Sequence, residues 1–126
     1  MIYVASRKMN AAGLRLLRAM GRPIISSWID EKEHRLQHDV WRAACDEISE
    51  CSAFIFHDGG DGALIELGIA IGMAVPLVIV VGTGTPLALL PCVTAKDTLD
   101  EALDIAEAAV PGHTQNSSGN VGSCIR

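Results

Sequence analysis

Charge is almost missing from the middle of this chain. Between Asp61 and Lys96 the only charged residue is Glu66, set in GALIELGIAIGMAVPLVIVVG. Basic clusters with interleaved aromatics are missing as well. With 10 basic against 15 acidic residues the net charge is −5, which argues against duplex nucleic acid as a partner and leaves room for a small polar or anionic metabolite. Among Cys45, Cys51, Cys92 and Cys124 no pair has C-x-x-C spacing, and no signal-peptide pattern opens the chain. Four reduced thiols in a cytoplasmic protein are therefore expected. The uncharged run 67–95 is long enough to span a bilayer, but Pro76 divides it, the stretch ending at Pro86 breaks it again, and its flanks lack a basic bias. It reads instead as a buried helix followed by a buried parallel strand, with no membrane partner. Internal repeats are also absent.

What is present is an alternation of strand-like and helix-like segments in 126 residues, enough for one core. Strands are expected at 2–6 (IYVAS), 23–28 (PIISSW), 53–56 (AFIF), 77–81 (LVIVV) and 91–94 (PCVT). A first helix is capped by Asn10 and stopped by Gly21; a second is capped by Asp30 and carries Val40, Ala44 and Ile48 on one face. A third, 62–74, is apolar nearly all round and reads as buried. A helical turn is expected at 86–90, and a last helix starts at Thr98 with Glu101 in the capping-box position. Residues 1–110 then form one domain, and the polar stretch 111–126 (PGHTQNSSGNVGSCIR) reads as a flexible tail. The alternation predicts an α/β fold: a flavodoxin-like or Rossmann-like doubly wound, five-stranded parallel sheet of order 2-1-3-4-5. Ligands in such a sheet lie outside the carboxyl ends of the first and third strands, here Ser6-Arg7-Lys8 and His57-Asp58-Gly59-Gly60-Asp61-Gly62.

Glu66 is the foremost candidate. A carboxylate in an apolar run costs free energy unless something pairs with it or uses it. Near a helix N-terminus it is expected to be ionised at neutral pH, and an ionised, shielded carboxylate can attack C1′ of a sugar. The competing reading is a structural carboxylate bonded to a hydroxyl such as that of Tyr3. Tyr3, the only tyrosine, is either its partner or a strand aromatic in the core. Asp58 and Asp61 flank the glycine turn and either hold a ribose hydroxyl, serve as a second acid, or simply form the bend. Gly59, Gly60 and Gly62 permit close approach of a ligand to the backbone. Ser6 and Arg7, ahead of a helix start, suit a 5′-phosphate or a solvated loop. Trp28 is placed to stack on a base. His34 and His38 are four apart on a helix, a spacing that permits a metal but lacks an indicated third ligand, and the segment reads as a solvated face.

Tyr3 in IYVAS, the D-x-x-D-G-A-x-x-E-L-G-x-A stretch from Asp58 to Ala70, and the following PLVIVV resemble the nucleoside 2-deoxyribosyltransferase-like family. The late LLPCVTAKDTLDEALDIA is similar to the closing strand and helix of that family. The resemblance covers about residues 1–110 and is most specific at E-L-G-x-A. It implies cleavage or exchange of the N-glycosidic bond of a nucleoside or nucleoside 5′-monophosphate, with Glu66 as nucleophile and Tyr3 orienting it. It implies homo-oligomers in which a neighbour completes the pocket, and no metal or organic cofactor. The G-G-D-G-A-L-I-E segment is also similar to the motif of LOG-type phosphoribohydrolases and SLOG nucleotide sensors. A non-catalytic nucleotide-binding module is the alternative. It is favoured by Gly60 and Ala44, which stand where transferases of the first family carry aspartates.

Overall fold

The computed structural model describes residues 1–31 and 37–109. Its frame is a four-stranded parallel sheet made of β1 (Ile2–Ala5), β2 (Ala53–Phe56), β3 (Leu77–Val81) and β4 (Thr94–Lys96), in the order β1-β2-β3-β4. All residues of β1 and β2 are buried. That is the outcome expected of continuous apolar runs in a parallel sheet covered on both sides. The register is in step from strand to strand: Tyr3 lies beside Phe54, and Phe54 beside Val78.

Alternation along the strands divides the core in two. Ile2, Val4, Ile55 and Ile79 face α1 (Ala11–Ala19) and α4 (Leu99–Ala108), whose Leu14, Leu103 and Ala106 close that side. Tyr3, Phe54, Val78 and Val80 face α2 (Gln37–Glu50) and α3 (Asp61–Gly72), through Ile48, Ala63, Leu67 and Ala70. The result is a three-layer α/β arrangement of the Rossmann-like kind. Arg22, just past α1, is bonded to Asp104 and Glu107 at 3.0 and 2.6 Å and so ties the segment after α1 to α4.

Several local expectations hold. Gly21 follows α1 with φ +104°, the left-handed turn that glycine tolerates. Thr98 caps α4 by accepting the Glu101 N–H at 3.1 Å. Residues 86–89 form a 3-10 turn, whose N–H of Leu87 is accepted by the Thr85 hydroxyl.

Others are corrected. The predicted second strand, 23–28, reduces to one parallel bridge, Ile2↔Ile24, followed by a 3-10 turn, Ser27–Asp30. Side chains take over where the ladder stops. The Ser26 hydroxyl accepts from the Val4 N–H at 2.7 Å and donates to the Val4 carbonyl at 3.1 Å, and the Trp28 indole N–H reaches that same carbonyl at 2.7 Å. The edge of β1 is thereby satisfied without a paired strand. The last strand is shifted from 91–94 to Thr94–Lys96. Asn10 occupies the N-cap position of α1 but its side chain makes no cap bond, and Asp30 lies in the 3-10 turn, held by Arg18 at 2.8 Å, rather than capping α2. The third helix is not buried all round: Leu64 is 43% and Ile65 53% exposed. Periodicity fails there because the helix is apolar on every side, so the sequence does not say which face meets the sheet. Cys45 and Cys51 are free, but Cys92 is disulfide-bonded, contrary to the expectation of four reduced thiols. No described helix is long and apolar enough to cross a membrane. The tail 111–126 and the segment 32–36, with His34, lie outside the described residues.

Candidate functional site

Parallel pairing of β1 with β2 and the glycine turn after β2 bring Tyr3 and Glu66 together. Tyr3 is fully buried, its ring stacked on Phe54 with centroids 5.7 Å apart and planes 8° from parallel. Its hydroxyl, at the far end of that stack, donates to Glu66 Oε2 at 2.9 Å. The hydrogen bond joins residues 63 apart in sequence, across the face of the sheet covered by α2 and α3.

The charge state of Glu66 corrects the sequence reading. Burial raises its pKa from 4.5 to about 7. The Tyr3 hydrogen bond pulls the other way, and the charge of Glu47 pushes it up further. Glu66 lies in the second turn of α3, where the helix dipole has faded, so burial decides. The group is thus divided between acid and anion near neutrality, not fully ionised. The Tyr3 hydroxyl is held in its protonated form, first by burial and then by the Glu66 charge beside it. Glu47 was not recognised in the sequence. It reaches the site from α2 and accepts the Ser27 N–H at 3.0 Å. Its place one residue before the apolar Ile48 is the only sequence signal of that position.

A second group gathers where β1 and β2 end. Asn10 donates one amide hydrogen to Ser6 Oγ at 2.7 Å and another to Asp58 Oδ2 at 3.1 Å. Arg7 lies 3.5 Å from Asp58 Oδ1, and its backbone N–H reaches the Asp58 carbonyl at 3.3 Å. Asp58 takes φ +49°, and its carboxyl is held below the usual range by the Asn10 hydrogen bond and then by Arg7. Gly59 is dictated by space: a Cβ there would strike Ala63 and lie 2.8 Å from the Phe56 ring. Gly60 ends the turn, and a Cβ there would crowd the Arg7 guanidinium at 3.2 Å. Asn10 read as a helix cap in the sequence; its bridging of the two strand ends depends on a parallel contact that the sequence does not display.

The remaining candidates are placed less centrally. Asp61 opens α3 and is exposed, as is Gly62, beside which there is open space. Trp28 is half-buried, packs against both core clusters, and has its indole N–H committed to Val4. His38 is exposed beside Asp39 at 3.3 Å, and no metal-holding cluster of three ligands is present among the described residues.

No family model matches the chain, and none of the curated proteins matches it at a significant level.

Proposed function

We propose that the chain cleaves or exchanges the N-glycosidic bond of a nucleoside or nucleoside 5′-monophosphate, with Glu66 as nucleophile. The observation that carries this reading is the Tyr3–Glu66 hydrogen bond of 2.9 Å, which holds a half-buried carboxylate in a fixed orientation beside a glycine turn. In the reaction, ionised Glu66 forms a bond to C1′ as the C1′–N bond breaks, and the electron pair leaves with the base, which takes up a proton. Water or a second base then attacks C1′ and frees the carboxylate. The Tyr3 hydroxyl favours the ionised form and fixes the attacking oxygen. Ser6, Arg7 and the glycine turn line the strand ends where a 5′-phosphate and the sugar would lie, with Asp58 or Asp61 on a sugar hydroxyl.

The five-stranded order 2-1-3-4-5 belongs to this proposal, as does a homo-oligomer. Ile24 bridges Ile2 on the outer edge of β1, where that order puts its second strand. A cytoplasmic location is supported by free Cys45 and Cys51 and opposed by the Cys92 disulfide.

A non-catalytic nucleotide-binding module is the second reading. It is favoured because Asp58 is tied to Arg7 and Asn10, and Asp61 is exposed at the start of α3, which leaves the departing base without an evident acid. The deciding experiment is incubation with nucleosides and their 5′-monophosphates, with released base read by chromatography and the protein weighed intact. Free base, or a sugar adduct absent in Glu66→Gln, supports glycosidic chemistry. A ligand-induced rise in melting temperature with neither product supports the binding module.

A further inference from the structure

A pocket of about 330 Å³ opens on the other side of the sheet from Glu66. Its apolar wall is made by Met9, from the 3-10 turn Lys8–Asn10 ahead of α1, by Leu14 and Leu17 of α1, and by Leu99 at the start of α4. Leu14 belongs to the core cluster with Val4 and Ile55, whereas Tyr3, Phe54 and Ala63 belong to the cluster on the opposite face. The sheet itself therefore separates this pocket from the Tyr3–Glu66 pair. Its size falls at the low end for small-molecule sites, and its make-up is of their kind: mostly hydrocarbon with few polar groups.

Two of its lining residues are polar. His57 continues the alternation of β2, one position past Phe56, and so falls on the α1–α4 side. Its Nδ1 is buried with no hydrogen-bond partner. A buried N–H without an acceptor is rarer and costlier than an unmatched lone pair, so the neutral ring keeps its proton on Nε2. Burial shifts His57 toward that neutral form, against the opposing charge of Asp58. Asn10 is the other polar residue; with its two amide hydrogens given to Ser6 and Asp58, only its carbonyl oxygen is left to offer. Gly13 completes the lining and leaves the backbone of α1 bare, and a Cβ built there meets nothing within 4 Å. A flat ring can lie against such a turn.

We propose that this pocket is a second ligand site, which takes a small, neutral, flat heteroaromatic molecule carrying a ring-nitrogen or carbonyl acceptor. The acceptor meets the His57 imidazole, the ring lies on Gly13 between Leu14, Leu17 and Leu99, and a ring N–H, where present, meets the Asn10 carbonyl. A charged ligand would lose hydration against apolar walls without a counter-charge in the lining. The site shares Asn10 with the strand-end group of Ser6 and Asp58, but it lies across the sheet from Tyr3 and Glu66 and stands whether or not Glu66 is a nucleophile.

The test uses the full chain labelled with ¹⁵N and titrated with benzimidazole, which has both an acceptor nitrogen and an N–H, and with indole, which has the N–H alone. Saturable shifts are expected at the amides of Gly13, Leu17 and His57 and not around Glu66. In Gly13→Phe, whose ring occupies the lane, affinity for both probes should fall at least tenfold. In His57→Leu the ratio of benzimidazole to indole affinity should fall at least threefold, because only benzimidazole loses a hydrogen bond. Absence of saturable shifts at those amides, or shifts centred on Tyr3 and Glu66, would overturn the proposal. So would an unchanged affinity ratio in folded His57→Leu, which keeps the test decisive if Gly13→Phe does not fold.

Discussion

At the scale of single residues the proposed chemistry rests on one carboxyl group whose pKa lies near neutrality. The Glu66 pKa is raised from 4.5 to about 7, so folding opposes its ionisation. Below pH 4.5 both folded and unfolded chains hold the proton, and the shift costs nothing. Between 4.5 and about 7 the unfolded chain releases the proton while the folded one keeps it, so stability falls as pH rises. Above 7 the cost is complete, about 1–3 kcal/mol for a group still partly in contact with water. Glu66→Gln keeps an acceptor for the Tyr3 hydroxyl and has nothing to ionise. Denaturant unfolding at a series of pH values is expected to show the decline in the wild type and a flatter profile in Glu66→Gln, together with complete loss of base release. A parallel decline in both proteins would remove the buried carboxyl as its cause.

Tyr3→Phe tests the other half of the pair. Removing the hydroxyl leaves Glu66 without its donor, and its pKa should rise further, since that hydrogen bond is what holds it down. In the proposed reaction the anion attacks, so kcat/KM should rise with pH through about 7 in the wild type and at a higher pH in Tyr3→Phe. A limb left at the same pH in folded Tyr3→Phe would mean that the ionisation of Glu66 does not set the rate. The pairing of Tyr3 with Glu66 was legible because each stands at a position that an α/β alternation fixes: the first strand, and the helix after the glycine turn. The protonation state was not, since it depends on burial and on Glu47, which α2 brings in from elsewhere in the chain.

At the scale of elements, the outer edge of β1 shows how side chains replace a strand. PIISSW has the composition of a β-strand, and Ile24 does make a bridge to Ile2. Past it, however, Ser26 gives Val4 both a donor and an acceptor, and the ladder ends. Sequence pattern records the apolar and β-branched residues of the segment but not a hydroxyl directed into a neighbouring backbone. Ser26 is fully buried, so Ser26→Ala strands the Val4 N–H, at an expected cost of about 1–3 kcal/mol. Equilibrium unfolding measures this directly, and a loss below about 0.5 kcal/mol would mean that water reaches the Val4 amide. Gly59→Ala is expected to be costlier than Gly62→Ala, because a Cβ at Gly59 meets Ala63 and Phe56 while one at Gly62 meets open space.

At the scale of the whole molecule, α3 carries apolar surface that the described residues leave uncovered. Its inner face, Ala63, Leu67 and Ala70, is packed on the sheet, yet Leu64 and Ile65 are largely exposed on the other side and Met73 follows just past its end. Gly68 and Gly72 lie within the same helix with open space beside them, so another backbone can come close. Apolar side chains beside bare backbone on the helix that carries Glu66 are what a protomer would show if a second copy covered the site, as the proposed oligomer requires. A stable interface of that kind would bury about 800 Å² on each partner. Sedimentation velocity on the wild type should then give a species larger than the 13.4 kDa chain, and Ile65→Glu should convert it to monomer without unfolding it. Because Ile65 points away from the core, the substitution leaves the Tyr3–Glu66 pair in place. Activity lost together with the oligomer would show that a neighbour contributes to the pocket, and activity kept in the monomer would place every required group within one chain. A wild type that is monomeric at all concentrations would remove the oligomer from the proposal and leave the exposed face of α3 without that explanation.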